Sequence, residues 1–388
     1  MASPTLHTPL CDFLEIEYPI CSAGMGPVAG GAAPVATHQL VAAVSNAGGL
    51  GVIGGVAYAA ADLRAEIRAV RELTDKPFGV DLLLSENFLV ERKGDESAPG
   101  PDAGRDLVPA ETRDALKKMA ADLGVEWRED PNPPIVSFPP VGKSWAGHQI
   151  EVVLEENVPV FASGLGTPAP FAQQLKENGT KILSLVGNVR AARSVAQGGA
   201  DVVVAQGTEA GGHTGRIGTL ALAPQVMDAV APKPVMAAGG VSDGRNLAAV
   251  LAMGCVGAWC GTVFLVSEEA NQPELQKRRI LEAAAEDTIV TRLYSGKTMR
   301  NIKNPLIQSW EASGIRALPM GLQGLLTRDL LYSIRQAGLD ELLMNAAGQT
   351  AGLLKEIRPA KEILLDLVGE AADALSRRLP STVQAAVA

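Results

Sequence analysis

The sequence predicts an α/β fold: a (β/α)8 TIM barrel with an insertion after the third strand and a helical C-terminal addition. Three observations lead there. Eight short apolar runs recur between residues 20 and 259, and Ala-rich segments of helical pattern lie between several of them. The runs are apolar throughout, as strands buried on both faces of a parallel sheet are. The chain has 388 residues, within the range of about 200 to over 400 that such barrels span. A doubly wound open sheet is the alternative arrangement of the same units.

In chain order the candidate strands are 20–23, 50–53, 78–83, 159–162, 181–185, 201–205, 234–237 and 256–259. Segments 37–46 and 60–73 read as helices between the first three. The rhythm breaks at an insertion spanning 91–147, which opens with the charged, Pro- and Gly-rich stretch ERKGDESAPGPDAGRD, a loop signature. Within it, 111–123 reads as one amphipathic helix with Leu116, Met119 and Leu123 on a face, ended by the PNPP at 131–134. The barrel is thus expected over 10–267. After Ser267 the alternation stops, and 268–388 is expected to be helical and to cap the barrel or cover its mouth. Leu364, Leu367, Val368, Ala371 and Leu375 have helical spacing, with Pro359 just before them.

Composition narrows the function. Hydrophobic residues make up 47% of the chain, enough for a large core and too many for disorder throughout. The net charge is −9 without a basic cluster, which argues against a nucleic-acid partner. The four cysteines, Cys11, Cys21, Cys255 and Cys260, form no C-x-x-C pair and read as reduced, buried side chains. The first residues carry neither a basic segment nor an apolar one of the secretory kind, so a cytoplasmic location is expected. Residues 246–267 carry no formal charge and are long enough to span a bilayer. Gly254, Gly257 and Gly261 instead divide them into helix, turn and buried strand, so no membrane partner is expected.

Active sites of such barrels lie at the C-terminal ends of the strands, and phosphate is often held after the seventh and eighth. The seventh run leads into Gly239-Gly240 and then Ser242-Asp243-Gly244, where Ser242 or Asp243 can cap the next helix. The eighth leads into Gly261-Thr262, bare backbone beside a hydroxyl. Together they make a candidate phosphate cradle. The sixth run ends in AQGTEAGGHTG, residues 205–215. There Gln206 offers donor and acceptor, and Gly207, Gly211, Gly212 and Gly215 leave room for something flat. His213, in the middle, is the side chain suited to proton exchange near neutral pH. No Cys or second His stands near it, so no metal site is expected. After the first run, Ala23, Gly24 and Gly26 expose backbone around Met25. Asp81, placed at the end of the third strand, either accepts a hydrogen bond from a cofactor or caps a backbone group. A phosphorylated flat cofactor suits this set, and flavin mononucleotide (FMN) fits, although spacing alone does not separate it from other phosphorylated ligands.

These segments also carry a resemblance. AGMG (23–26), SNAGGLGVIGG (45–55), GADVVVAQGTEAGGHTG (199–215), AAGGVSDGR (237–245) and WCGTVFL (259–265), in that order, resemble the nitronate monooxygenase family, formerly called 2-nitropropane dioxygenases. GQTAG (348–352) resembles the family's C-terminal part. The resemblance implies a (β/α)8 barrel with non-covalent FMN. Ala23, Gly24 and Met25 would meet the isoalloxazine ring through backbone. Gln206 and Gly211, with Gly207 and Gly212 beside them, would hold the ring and ribityl region. Gly239, Gly240, Gly261 and Thr262, with the backbone of Trp259 and Cys260, would bind the phosphate. His213 matches the family's active-site histidine. The family often carries Asn where Asp81 stands, and a carboxylate there disfavours an anionic reduced ring.

Two activities follow from the resemblance. In one, an alkyl nitronate gives an electron to FMN and O2 completes its conversion to a carbonyl compound and nitrite. In the other, NAD(P)H reduces the flavin, which then reduces an enone, a quinone or an unsaturated acyl thioester, with Arg216 as one candidate contact. A flavin- or phosphate-binding module without turnover is the third reading. A homodimer is open to any of them.

Overall fold

The computed structural model describes residues 5–27, 33–84, 107–131, 143–320 and 322–384. Eleven strands are present among them. In chain order they are β1 (Ile20–Ser22), β2 (Gly51–Gly54), β3 (Phe78–Leu84), β4 (Val160–Gly166), β5 (Lys181–Val186), β6 (Val202–Gln206), β7 (Gly212–His213), β8 (Val235–Ala238), β9 (Ala258–Cys260), β10 (Thr288–Thr291) and β11 (Met299–Ile302).

Eight of these form one parallel sheet in the order β1-β9-β8-β6-β5-β4-β3-β2. The ends of that list meet. The Ser22 N–H donates to the Leu50 carbonyl (2.9 Å), and the Leu50 N–H donates to the Ile20 carbonyl (2.9 Å). This closure makes the sheet a TIM barrel rather than an open doubly wound one, and it removes the exposed edges that an open sheet leaves. All eight expected strands are present, within two residues at each end except at β4, which runs on to Gly166. Asp81 proves to lie inside β3 rather than at its end.

Strand alternation explains the uniformly apolar sequence. Val202 and Val204 of β6 point into the barrel with Leu183, Val160 and Met236. Val203 and Ala205 point outward against the surrounding helices. Both faces are buried, so neither needs polar residues. Helix Pro9–Leu14 adds Leu10 and Leu14 to the interior cluster.

The helices expected from spacing are found at His38–Asn46, Ala60–Leu73 and Ala110–Asp122. Helix Ala360–Asp373 follows Pro359 and buries Leu364, Leu367, Val368 and Ala371, while Leu375 lies beyond it in a π turn. This helix packs so closely on Gly244–Ala252 that a Cβ at Gly244 would stand 2.2 Å from the Glu370 Cβ. The loop stretch expected at 91–106, and 132–134 of the PNPP, lie outside the described residues.

The C-terminal addition is largely helical, and it also contributes two strands that the sequence reading did not anticipate. β10 is a β-branched run, Thr-Ile-Val-Thr, of the kind that favours strands. It pairs antiparallel with β11, and β11 pairs antiparallel with β7, with Met299 opposite His213 and Arg300 opposite Gly212. Leu116 and Met119 of the insertion pack with Leu293, Trp310, Leu326 and Leu330 of the C-terminal region in a second apolar core, apart from that of the barrel.

All four cysteines are free and buried. Among the described residues, no group of His, Cys, Asp or Glu could hold a metal ion. No helix among them is long and apolar enough to cross a membrane.

Candidate active site

A cavity of about 930 Å³ opens at the C-terminal ends of the barrel strands, near the upper end of the range of about 300–1,000 Å³ for ligand pockets. It gathers most of the residues singled out above: Ala23, Gly24, Met25, Asp81, Gln206, Gly211, Gly212, His213, Gly239, Gly240, Trp259, Gly261 and Thr262. Gly207 and Cys260 are not in its lining. Gly207 serves packing, because a Cβ there would stand 2.0 Å from Thr219 Oγ1. Cys260 joins the outer core, and its carbonyl accepts from the Ala23 N–H (2.8 Å). Arg216 is exposed and also absent from the lining.

At the cradle end, Gly239 and Gly240 have φ of 82° and 81°, a left-handed conformation that non-glycine residues rarely adopt. It turns the chain sharply after β8 and leaves backbone without side chains. Asp243, not Ser242, caps the following helix, its Oδ1 accepting from the N–H groups of Arg245 and Asn246 at 2.9 and 3.0 Å. Ser242 is released to bond Thr350, Oγ to Oγ1 at 2.6 Å. The Gly348 N–H donates to Thr262 Oγ1 (2.9 Å), so the Thr262 hydroxyl proton can serve elsewhere. The GQTAG segment thus completes this end. Nothing local in the sequence marks Thr350 for this position. The N-terminus of helix Thr219–Val230 is filled by the chain itself, since the Thr219 N–H donates to the Glu209 carboxylate at 3.0 Å.

His213 sits on β7, gripped on several sides. Gln206 Nε2 donates to its carbonyl (2.5 Å), and its ring Nε2 lies 2.8 Å from Ser295 Oγ. The Thr214 N–H donates to the Thr298 carbonyl at 3.2 Å. In return, Thr298 Oγ1 donates to the Thr214 carbonyl at 2.7 Å. The buried Arg300 donates from Nε to the Thr208 carbonyl (2.9 Å), bracing the same loop. Burial, helped by the Lys297 charge, lowers the pKa of His213 to about 4. The imidazole is therefore neutral at physiological pH. Ser295 and Lys297 were not found by sequence reasoning, because nothing local marks a residue 82 positions from its partner. The remaining histidines, His7, His38 and His148, do not line the cavity.

Near the Ala23–Gly26 backbone lies Asp81, buried, with no hydrogen-bond partner for Oδ1. Burial holds its carboxyl well above the usual carboxylate range. The wall also carries the apolar Leu83, Leu165, Leu185, Met299, Leu331 and Met344, together with the charged Asp62, Glu66, Asp130, Arg328 and Arg335.

A model of the nitronate monooxygenase family matches residues 7–370. A Mycobacterium tuberculosis protein named as a monooxygenase is 34% identical over 385 residues, covering 96% of this chain and 98% of that protein. The structure of FabK from Thermotoga maritima superposes with a TM-score of 0.74 at 32% identity, covering 98% of this chain and 100% of that one. Nitroalkane oxidase from Streptomyces ansochromogenes gives a TM-score of 0.75 at 30% identity, covering 94% and 98%.

Proposed function

The chain belongs to the nitronate monooxygenase family and is an oxidoreductase, and from that premise we propose that it binds FMN and oxidises alkyl nitronates with O2 to a carbonyl compound and nitrite. The residues present fit the cofactor. The glycine turn at 239–240 and Gly261 leave bare backbone, and Ser242, Thr262 and Thr350 bring hydroxyl donors to one end of the cavity, a donor set that suits a phosphate. The Ala23–Gly26 backbone and Gly211-Gly212 leave space for a flat ring. When bound, FMN supplies the electron acceptor that nitronate oxidation requires.

The observation that carries the reading is the neutral His213. A nitronate arrives as an anion and needs no proton from the protein. It needs hydrogen-bond donors and positive charge in a place shielded from water. A neutral imidazole held 2.8 Å from Ser295 offers one such donor, and the Lys297 charge acts on the ring. Reduction of an enone or a thioester also requires delivery of a proton, a role for which burial of His213, by lowering its proton affinity, suits it less. The apolar part of the wall admits the alkyl chain and O2.

The likeness to FabK supports the alternative, an NAD(P)H-dependent flavin reductase. An anaerobic absorbance experiment separates the two. Bleaching of the flavin bands by an alkyl nitronate, with nitrite formed once O2 is admitted, is the expected result. Bleaching by NADH or NADPH but not by nitronate sinks the monooxygenase reading. Absence of flavin bands even after addition of FMN sinks both.

A further inference from the structure

Asp81 stands on β3 with Gly54 of β2 and Ala162 of β4 as register partners. Its side chain meets the loop after β1 so closely that a Cβ at Gly24 would lie 2.3 Å from the Asp81 Cβ. It forms part of the cavity wall, yet its relative exposure is 9%. Oδ1 has no hydrogen-bond partner, and the Gly164 N–H is the polar group that faces the carboxyl. The segments packed against it bring Gly24, Ile53, Gly55 and Gly164, none of them titratable or charged. No cation among the described residues acts on it. An ionised carboxylate here would have lone pairs without donors and a charge without a counter-charge. A carboxyl so placed takes up a proton instead.

We propose that Asp81 stands in the cavity as a neutral carboxylic acid and acts on the bound cofactor as a carboxamide would, donating one hydrogen bond and accepting another. A protonated carboxyl has the same donor and acceptor pair as an amide. The inference deepens the FMN reading and rests on it for the identity of the ligand. It also reverses an expectation from the sequence. The Asp81 position places no negative charge beside the cofactor, so it does not oppose an anionic reduced ring.

Proton linkage gives a test that does not depend on turnover. Above the ordinary aspartate value the unfolded chain releases this proton and the native protein keeps it, so stability falls as pH rises. Asparagine has no such proton. Asp81→Asn is expected to be the more stable protein at neutral pH. The ratio of its unfolding constant to that of wild type should drop about tenfold per pH unit between about pH 5 and about pH 7. FMN titrations followed by flavin fluorescence should give Asp81→Asn the wild-type dissociation constant within a few-fold, with Asp81→Ala weaker by about tenfold to a hundredfold, the loss of both hydrogen bonds. A stability gap that does not change with pH, with FMN binding intact, overturns the neutral acid alone. Failure of wild type and Asp81→Asn to bind FMN at any pH overturns the cofactor reading, and with it this role. Should Asp81→Asn not fold, infrared spectra of wild type labelled in its aspartate carboxyl carbons decide. A protonated-carboxyl band at neutral pH is expected, and its absence overturns the proposal.

Discussion

Ser295 and His213 form a pair in which one residue acts through the other. Removing His213, which in the proposed reaction supplies a catalytic hydrogen bond, should cost about 10²–10³-fold in turnover. Ser295→Ala should keep its flavin and lose about tenfold in kcat/KM for a nitronate, near the value of one hydrogen bond. The double variant should be no worse than His213→Ala alone, because Ser295 has nothing left to position. An additive loss would give Ser295 a separate role. The pH profile follows from the same ring. With preformed nitronate, kcat/KM should stay level from about pH 8 to about pH 5 and change only as pH approaches the value of about 4 at which His213 gains its proton. A break near pH 6.5, the ordinary histidine value, would mean that His213 is not shielded as described.

Helices Ala60–Leu73 and Lys143–Glu155 are tied by one carboxylate. Arg64 and Arg71 reach Glu156 at 3.0 Å and Arg68 reaches it at 2.8 Å. Burial alone would raise the pKa of Glu156, but hydrogen bonds from Arg68 and Arg64 and the charges of Arg68 and Arg71 outweigh it and lower the value. The stabilisation is therefore full above the ordinary glutamate range and lost as pH falls through the depressed value. Breaking a buried ion pair costs about 3–5 kcal/mol. These arginines are 32%, 63% and 39% exposed, so Glu156→Gln should cost nearer about 1–2 kcal/mol at neutral pH. Urea midpoints should show that loss shrinking towards acid pH, and a constant difference would remove the ionic explanation. The sequence made helix Ala60–Leu73 legible, along with the eight barrel strands, since burial on two faces or on one stripe leaves a local pattern, whereas Lys143–Glu155 was not read as a helix. The strands β7, β10 and β11 left almost none. A Gly-His pair has no period to read, and a run of four β-branched residues gains its meaning only from a partner far along the chain. The turn at Gly239-Gly240 was legible as a turn, although glycine pairs recur in this chain, at 54–55 and 211–212 among them. Thr350 and Ser295 were hidden, being ordinary residues placed by tertiary contacts.

Across the whole molecule, the barrel and the second core meet at the loop that carries His213. Trp310, 3% exposed, stands in that second core with Leu116 and Leu330. Trp310→Ala should cost about 3–5 kcal/mol locally, as large-to-small changes of buried aromatics do. Hydrogen exchange should quicken in 293–344 and, through β11, in 212–214, while β2 to β5 stay protected. Uniform quickening would mean that the two cores unfold as one. The β7–β11 pairing also bears on protein engineering. Barrel enzymes are commonly redesigned by exchanging one strand-end loop at a time on an indifferent scaffold. Here the loop after β6 is itself a strand of a sheet built by the C-terminal region, which in turn shares its core with the insertion after β3. A graft from a relative would have to carry all three segments together, and a chimera joined at any one of them would inherit a histidine without the wall that aims it.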